Sequence, residues 1–172
     1  MDVAEAIRAR RSVRKYKPTP IPEETLQNVL NAARLAPSAE NMQPWRFVVV
    51  RDEDVKRELA NACNNQIWIA EAPVVIAACG VPDDAVATVG GYMDSLSVDV
   101  SIALTQAALE ATSEGLGTCW VTAFSEERVK SILNIPPDVR VVALTPLGYP
   151  EEMPESSGRK HLSQLVCYDK YE

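Results

Sequence analysis

The stretch Arg10-Arg11-Ser12-Val13-Arg14-Lys15-Tyr16, the basic stretch below, carries the most distinctive pattern in this sequence. Residues 8–17 hold six of the seventeen Lys and Arg residues, in a chain whose formal net charge is −7. If the basic stretch is extended, the two-residue period of a strand places Arg10, Ser12 and Arg14 on one face. Two guanidinium groups and a hydroxyl are donors that a phosphate group accepts. We therefore expect a phosphorylated cofactor here, and the alternative is a solvated basic turn.

The composition is that of an ordinary globular protein, with 47% hydrophobic and 24% charged residues. The length predicts a single domain over residues 1–172. A net negative charge argues against a nucleic-acid partner, because the nucleic-acid backbone repels it. The alternative, a nucleic-acid-binding module that uses the basic stretch, predicts steeply salt-dependent binding. Because no apolar segment follows the basic N-terminal residues, we expect a cytoplasmic protein without a secretory signal or a membrane partner.

The four cysteines are Cys63, Cys79, Cys119 and Cys167, and His161 is the one histidine. They are widely separated and form no C-x-x-C pair, the usual spacing of a structural zinc site. We predict reduced thiols, most of them packed as small hydrophobic side chains, and no metal site.

Apolar periodicity and proline positions predict helices that alternate with strands. Asp2 is suited to cap a first helix that ends near residue 9, and Pro22 to open a second one that ends near Ala36. Strands are predicted at 46–50, 72–79, 118–123 and 139–147, and further helices at 54–62, 66–70, 94–114 and 125–133. The strand at 72–79 is apolar on both faces, which is typical of a sheet covered by helices on both sides. This order predicts an α+β or α/β layered domain.

The predicted helix 94–114 is the longest element. Asp99 is its one charged residue between positions 98 and 109, so most of its surface is expected to be buried. Its acidic residues leave no charge-free run of about 20 residues, which excludes a membrane span. We expect a core helix that also packs against a partner chain.

The loop of residues 37–45, the amide loop below, is bounded by two prolines and contains Ser38, Asn41 and Gln43. Side-chain amides both donate and accept hydrogen bonds, so they can match a ligand edge that offers both kinds of group. The alternative is a capped turn whose amides satisfy their own backbone.

Four segments together resemble the nitroreductase family of FMN-dependent oxidoreductases. They are residues 10–14 of the basic stretch, the amide loop, Gly115-Leu116-Gly117-Thr118-Cys119-Trp120, and the tail with Gly148-Tyr149-Pro150 and Arg159-Lys160. The resemblance implies an α+β fold in which helices flank a central, mostly antiparallel sheet. It also implies an intertwined homodimer with one FMN in each of two interface clefts.

The resemblance implies a set of FMN-binding residues. They are Arg10, Arg11, Ser12, Arg14, Pro37, Ser38, Asn41, Gln43, Asn65, Gln66, Thr118, Cys119, Trp120, Arg159 and Lys160. The basic stretch is expected to hold the phosphate and ribityl chain, with the two tail cations closing that site. Arg11 is expected at the isoalloxazine edge, and the amide loop is expected to come from the partner subunit. Trp120 is expected either at the flavin ring or in the plain core.

The same resemblance implies a ping-pong reaction in which NADH or NADPH reduces the flavin and a small molecule, such as a nitro compound or a quinone, reoxidises it. The cofactor carries the chemistry, so no catalytic side chain is expected. His161, alone in a polar tail, is expected to be solvated. Two alternatives stay open: an FMN-binding carrier or redox sensor without rapid turnover, and a dehalogenating or flavin-degrading relative.

Overall fold

The computed structural model describes residues 1–171, and Glu172, the end of the predicted tail, lies outside them. Within residues 1–171, six helices and four strands follow one another along the chain. They are α1 (Val3–Ala9), α2 (Glu23–Arg34), β1 (Trp45–Val50), α3 (Glu53–Ala62), α4 (Trp68–Glu71), β2 (Val74–Gly80), α5 (Leu96–Ser113), β3 (Gly117–Thr118), α6 (Glu126–Leu133) and β4 (Arg140–Gly148). Short 3-10 turns lie at Ala39–Asn41, Pro82–Asp84 and Leu162–Gln164.

The strands form one antiparallel sheet in the order β1-β2-β4-β3. Every residue of β2 is buried, because β1 and β4 flank it and helices cover both faces. Val74, Ile76 and Ala78 of β2 pack in one apolar cluster with residues of α2 and α5. The alternate residues of β2 pack in a second cluster with residues of α3, α4 and α6. The expected α+β architecture with helices on both sides of an antiparallel sheet is confirmed, and the α/β alternative is wrong.

Local signals in the sequence account for the ends of several helices. The Asp2 carboxylate accepts a hydrogen bond from the Glu5 amide and caps α1 as predicted. Asp52 caps α3 in the same way. The Ser125 hydroxyl accepts from the Arg128 amide at the start of α6, and Asn134 ends that helix in the left-handed region.

Helix α5 occupies most of the predicted range 94–114 and packs against the sheet through Val100, Leu104 and Ala107. Its opposite side is open, since the side chains of Val98 and Ile102 are 41% and 36% exposed. The expected packing of this side against a partner chain stays a prediction. Within residues 1–171, no helix combines the length and the apolar character that crossing a membrane requires.

The predicted strand 118–123 is too long. Only Gly117–Thr118 forms β3, and Val121 pairs with Leu144 as an isolated bridge. The pairing of Thr118 with Leu147 and of Val121 with Leu144 keeps one register, which places Pro146 opposite Cys119. Because proline has no amide hydrogen, Pro146 cannot donate a backbone hydrogen bond to Cys119, and the pairing of the two strands is interrupted there.

Three cysteines are buried thiols, as predicted, and Cys167 is exposed in the tail. Burial raises the pKa of Cys63 and of Cys79 to about 11, so both thiols are protonated at neutral pH. Among residues 1–171, no group of three or more His, Cys, Asp or Glu side chains is placed to hold a metal ion.

Candidate functional site

The basic stretch is extended and lies beside the edge of the sheet. Ser12 pairs with Thr118 in a parallel bridge, and the Val13 amide donates to the Thr118 carbonyl at 2.9 Å. Further on, Tyr16 pairs with Pro150. The stretch therefore extends the sheet beyond β3, and its backbone is not a solvated turn.

Buried side chains fix the stretch in this position. Val13 is 1% exposed, and the Tyr16 hydroxyl donates to the Val13 carbonyl at 2.7 Å. Gly117 is required for this contact, because a Cβ atom at position 117 would lie 2.6 Å from Val13 Cγ2. Gly117 thus allows the basic stretch to approach β3 closely.

The arginines of the basic stretch have no carboxylate partner among residues 1–171. Arg11 donates from Nη1 to the carbonyls of Arg8 at 2.6 Å and of Arg10 at 3.0 Å. Arg14 lies over the Trp68 ring with its guanidinium carbon 5.8 Å from the ring centroid. Within the described residues, the positive charges of Arg10 and Arg14 are therefore not paired with an acid.

Cys119 follows Thr118, the residue that pairs with Ser12 of the basic stretch. Burial raises the pKa of the Cys119 thiol, while the charges of Arg14 and Arg10 and the Ser12 side chain act in the opposite direction. Of the three residues on the predicted common face, Arg10 and Ser12 line one cleft, and Arg14 lies over Trp68.

A cleft of about 290 Å³ opens beside this face. We call it the Arg10 cleft; its lining residues are Arg10, Ser12, Leu104, Thr105, Ala108, Thr118, Trp120 and Thr145. Four of the predicted site residues thus meet in one place. The side chain of Trp120 is 41% exposed, so the plain-core alternative for this residue is wrong.

The remaining lining residues were not predicted from the sequence. Leu104, Thr105 and Ala108 come from α5 and Thr145 from β4. A threonine in a helix with one charged residue between positions 98 and 109, and another threonine in a buried strand, are the available signals. They become informative only once the packing of α5 against the sheet is known.

The amide loop does not line the Arg10 cleft of its own chain. Ser38 Oγ accepts from the Gln43 amide at 2.9 Å, and Gln43 Nε2 donates to the Asn41 carbonyl at 2.9 Å. These are the internal bonds of the capped-turn alternative. Glu40, Asn41 and Gln43 have φ of 50°, 59° and 52°, a left-handed conformation that costs free energy for residues other than glycine.

The other predicted residues also lie outside the cleft lining. Asn65 is left-handed, with φ of 58°, and Gln66 donates to the Cys63 carbonyl at 2.9 Å. Arg159 donates to the Ser157 carbonyl at 3.0 Å within the exposed tail, where Lys160 and His161 are exposed as well. The roles of these residues in binding a cofactor stay predictions.

Comparison with known proteins identifies the family. The family model described as "Nitroreductase family" matches residues 7–149. An NADH dehydrogenase from Thermus thermophilus is 34% identical over 98% of this chain and 96% of its own length. The crystal structure of a nitroreductase family protein from Clostridium novyi NT is 36% identical, with a TM-score of 0.84 over 91% of this chain and 89% of that one. The NADPH:FMN oxidoreductase from Vibrio harveyi in complex with NAD⁺ is 27% identical, with a TM-score of 0.87 over 99% and 78% of the two chains. With a family model that spans most of its length, this chain belongs to the nitroreductase family.

Proposed function

We propose that the protein is an FMN-dependent NAD(P)H oxidoreductase that reduces a small organic acceptor, such as a nitro compound or a quinone, and acts as a homodimer. The observation that carries the proposal is the pair of cations at Arg10 and Arg14, which have no carboxylate partner in residues 1–171 and flank Ser12 in the extended basic stretch. Arg10 and Ser12 line the Arg10 cleft, and Arg14 lies over the neighbouring Trp68 ring. Membership of the nitroreductase family supports it.

The residues at the Arg10 cleft fit the chemistry of FMN. A phosphate dianion needs cations and hydrogen-bond donors from several directions, and Arg10, Ser12 and Arg14 offer both. Trp120 presents an exposed aromatic surface, and aromatic side chains stack well on planar rings. In this assignment Arg159 and Lys160 close the phosphate site, Arg11 lies at the ring edge, and Thr118 and Cys119 lie against the ring.

The homodimer supplies the part of the site that one chain lacks. Ser97, Val98, Ser101 and Ile102 of α5 line an apolar groove of about 600 Å³ at the surface. We assign this groove to the contact with a second copy, since an exposed apolar patch on a globular domain marks an interface. The partner's amide loop then brings its copies of Ser38, Asn41 and Gln43 to the Arg10 cleft, with Asn65 and Gln66 as further polar contacts.

The side chains of the cleft bind and orient. Bound FMN would supply the redox chemistry, taking hydride from NADH or NADPH and giving it to the acceptor in a ping-pong cycle. Arg10 and Arg14 neutralise the phosphate and favour negative charge nearby. Because burial raises its pKa, the Cys119 thiol stays protonated at neutral pH and is no nucleophile.

An absorption spectrum tests the proposal. Purified protein is titrated with FMN, reduced anaerobically with NADH or NADPH, and then mixed with a nitroaromatic compound or a quinone. We expect saturable FMN uptake, rapid bleaching by one of the nicotinamides and recovery of the yellow colour with the acceptor. A protein that binds FMN but bleaches only slowly is a carrier or sensor. One that takes up no FMN contradicts the proposal altogether.

A further inference from the structure

Asp99 is a buried acid on α5 that the Arg10 cleft does not use. Asp99 is 3% exposed. Oδ1 accepts a hydrogen bond from the Ala39 amide at 3.1 Å, while Oδ2 is buried and has no hydrogen-bond partner among residues 1–171. Burying a carboxylate oxygen without a partner is unfavourable, so helix stability alone does not account for an acid at this position.

The partner of Asp99 belongs to the amide loop. The bond between Asp99 and Ala39 is the one hydrogen bond that joins residues 38–43 to another part of the described chain. The other hydrogen bonds of these residues are local, such as that from the Gln43 amide to Ser38 Oγ. The bond to Asp99 therefore ties the middle of the loop to α5, while the end of the loop is held by the Val81 amide, which donates to the Pro44 carbonyl at 2.8 Å.

The loop needs such an anchor because its backbone is strained. Glu40, Asn41 and Gln43 are all left-handed, and none of them is glycine. Strained backbone persists where the surrounding structure holds it, and it concentrates at ligand-binding segments. The anchor and the strain occur within five consecutive residues, and both act on the backbone that carries the Asn41 and Gln43 side chains.

We propose that Asp99 is a positioning residue that holds residues 38–43 of the amide loop in the conformation that contacts FMN. The proposal rests on the FMN-binding function proposed above. Leu104, Thr105 and Ala108, farther along the same helix, line the Arg10 cleft. Helix α5 thus carries both a wall of the cleft in its own subunit and the support of the loop offered to the partner's cleft.

Two variants and one control test this role by FMN titration of the 172-residue protein. Asp99→Ala removes the acceptor and raises the Kd for FMN by about tenfold, the size expected for one lost hydrogen bond to a charged group. Asp99→Asn keeps an oxygen that accepts from Ala39 and stays within about threefold of wild type. Thr112→Val removes another buried polar group of α5, whose hydroxyl bonds only within the helix to the Ala108 carbonyl, and leaves FMN affinity unchanged.

Ala39→Pro breaks the same bond from the side of the loop. Ala39 opens a 3-10 turn after the extended Ser38, a position that accepts proline, and the substitution deletes the amide that donates to Asp99. We expect the same loss of FMN affinity as in Asp99→Ala, with an altered visible circular dichroism spectrum of the bound flavin. If Asp99→Ala does not fold, Ala39→Pro decides the question.

A double-mutant cycle separates loop positioning from a general loss of structure. Asn41→Gly removes one of the amide side chains assigned above to FMN and relieves the left-handed strain at this position. If Asp99 acts through the loop, Asp99→Ala weakens FMN binding less in the Asn41→Gly background than in wild type, whereas Thr112→Val and Asn41→Gly are additive. An equal loss in both backgrounds, or FMN affinity within twofold of wild type in Asp99→Ala and Ala39→Pro, overturns the role of Asp99. Failure of the wild-type protein to bind FMN overturns the proposed function instead, and this role with it.

Discussion

Arginine side chains have opposite roles at the start of β4 and in the basic stretch. At the start of β4, Arg140 forms two hydrogen bonds with the Glu126 carboxylate, at 2.9 and 3.1 Å, and the Val141 amide donates to the same carboxylate at 2.9 Å. These contacts lower the pKa of Glu126 to about 2. In the basic stretch, Arg10 and Arg14 have no acid partner within residues 1–171.

The difference separates cations that hold the fold together from cations that are available to a ligand. Arg46, Arg51 and Arg57 follow the pattern of Arg140, since each pairs with a carboxylate at the surface. A chain with a net charge of −7 has acids in excess. Within residues 1–171, other arginines such as Arg34 and Arg128 also lack a carboxylate partner, so this property alone does not mark a binding site. Arg10 and Arg14 differ from them because they flank Ser12 in an extended segment, and this arrangement matches an anionic ligand.

The largest effect is expected from the double substitution Arg10→Ala/Arg14→Ala. Loss of two cations from the proposed phosphate site should raise the Kd for FMN by about 100-fold or more, because hydrogen bonds to charged groups contribute roughly 1.5–3 kcal/mol each. Neither side chain is buried, so the free energy of unfolding should change little. Fluorescence titration with FMN and urea denaturation measure the two quantities.

The matched control is Arg46→Ala/Arg57→Ala, which removes the same charge from arginines that are paired within the chain. Its FMN affinity should stay near that of wild type. Retention of FMN by Arg10→Ala/Arg14→Ala would break the comparison, because the unpaired cations would then have no ligand to explain them.

Gly117→Ala tests how the basic stretch is held in place. The added Cβ atom would lie 2.6 Å from Cγ2 and 2.9 Å from Cβ of Val13, so the stretch has to move away from β3. Overpacking of this kind costs about 1–3 kcal/mol. We expect a lower free energy of unfolding in urea together with weaker FMN binding. In Gly158→Ala the new atom meets nothing within 4 Å, so wild-type values are expected, and a neutral Gly117→Ala would contradict the close contact.

Glu126→Gln tests the other side of the comparison through pH. The folded-state pKa of Glu126 is lowered from 4.5 to about 2, first by the Arg140 hydrogen bond, so its contribution is fully present above about pH 4.5 and is lost as pH falls through about 2. Because Arg140 is largely solvated, we expect the variant to be less stable by roughly 1–2 kcal/mol at pH 7.

The difference in unfolding free energy between wild type and Glu126→Gln should shrink towards zero as pH is lowered from 4.5 to 2, as measured by urea denaturation across that range. Glu127→Gln removes the same charge from the same helical turn without an ion pair and should be close to neutral. An equal loss of stability in both variants would mean that the effect arises from the helix terminus and that the pair with Arg140 contributes nothing.

Much of this arrangement follows from local sequence. Proline positions, capping residues and β-branched runs are properties of neighbouring residues, and they predicted α2, β2 and α6 closely. The two-residue period likewise predicted the common face of Arg10 and Ser12 at the cleft.

Contacts between distant residues could not be predicted in the same way. The break after β3 depends on which residue of β4 lies opposite Cys119, and the anchor of the amide loop joins residues that are 60 positions apart. The pairing of each arginine is also a tertiary property. The sequence therefore located the charge of the basic stretch but could not tell which of its cations the fold itself neutralises.

Lys15→Ala tests whether paired and unpaired cations of the basic stretch differ in their effect on FMN binding. Lys15 lies next to Arg14, yet its Nζ is 2.9 Å from Oε1 of Glu152, and this hydrogen bond raises the pKa of the lysine. If a ligand is held by the cations that the chain leaves unpaired, Lys15→Ala should change the Kd for FMN by no more than about twofold, since an exposed ion pair contributes little. FMN titration at low and at physiological ionic strength measures the effect.

A loss comparable with that of Arg10→Ala/Arg14→Ala would mean that the total positive charge of the stretch attracts FMN. An unchanged affinity, beside a large loss in the double variant, would mean that the absence of an internal partner distinguishes the binding cations from their neighbours.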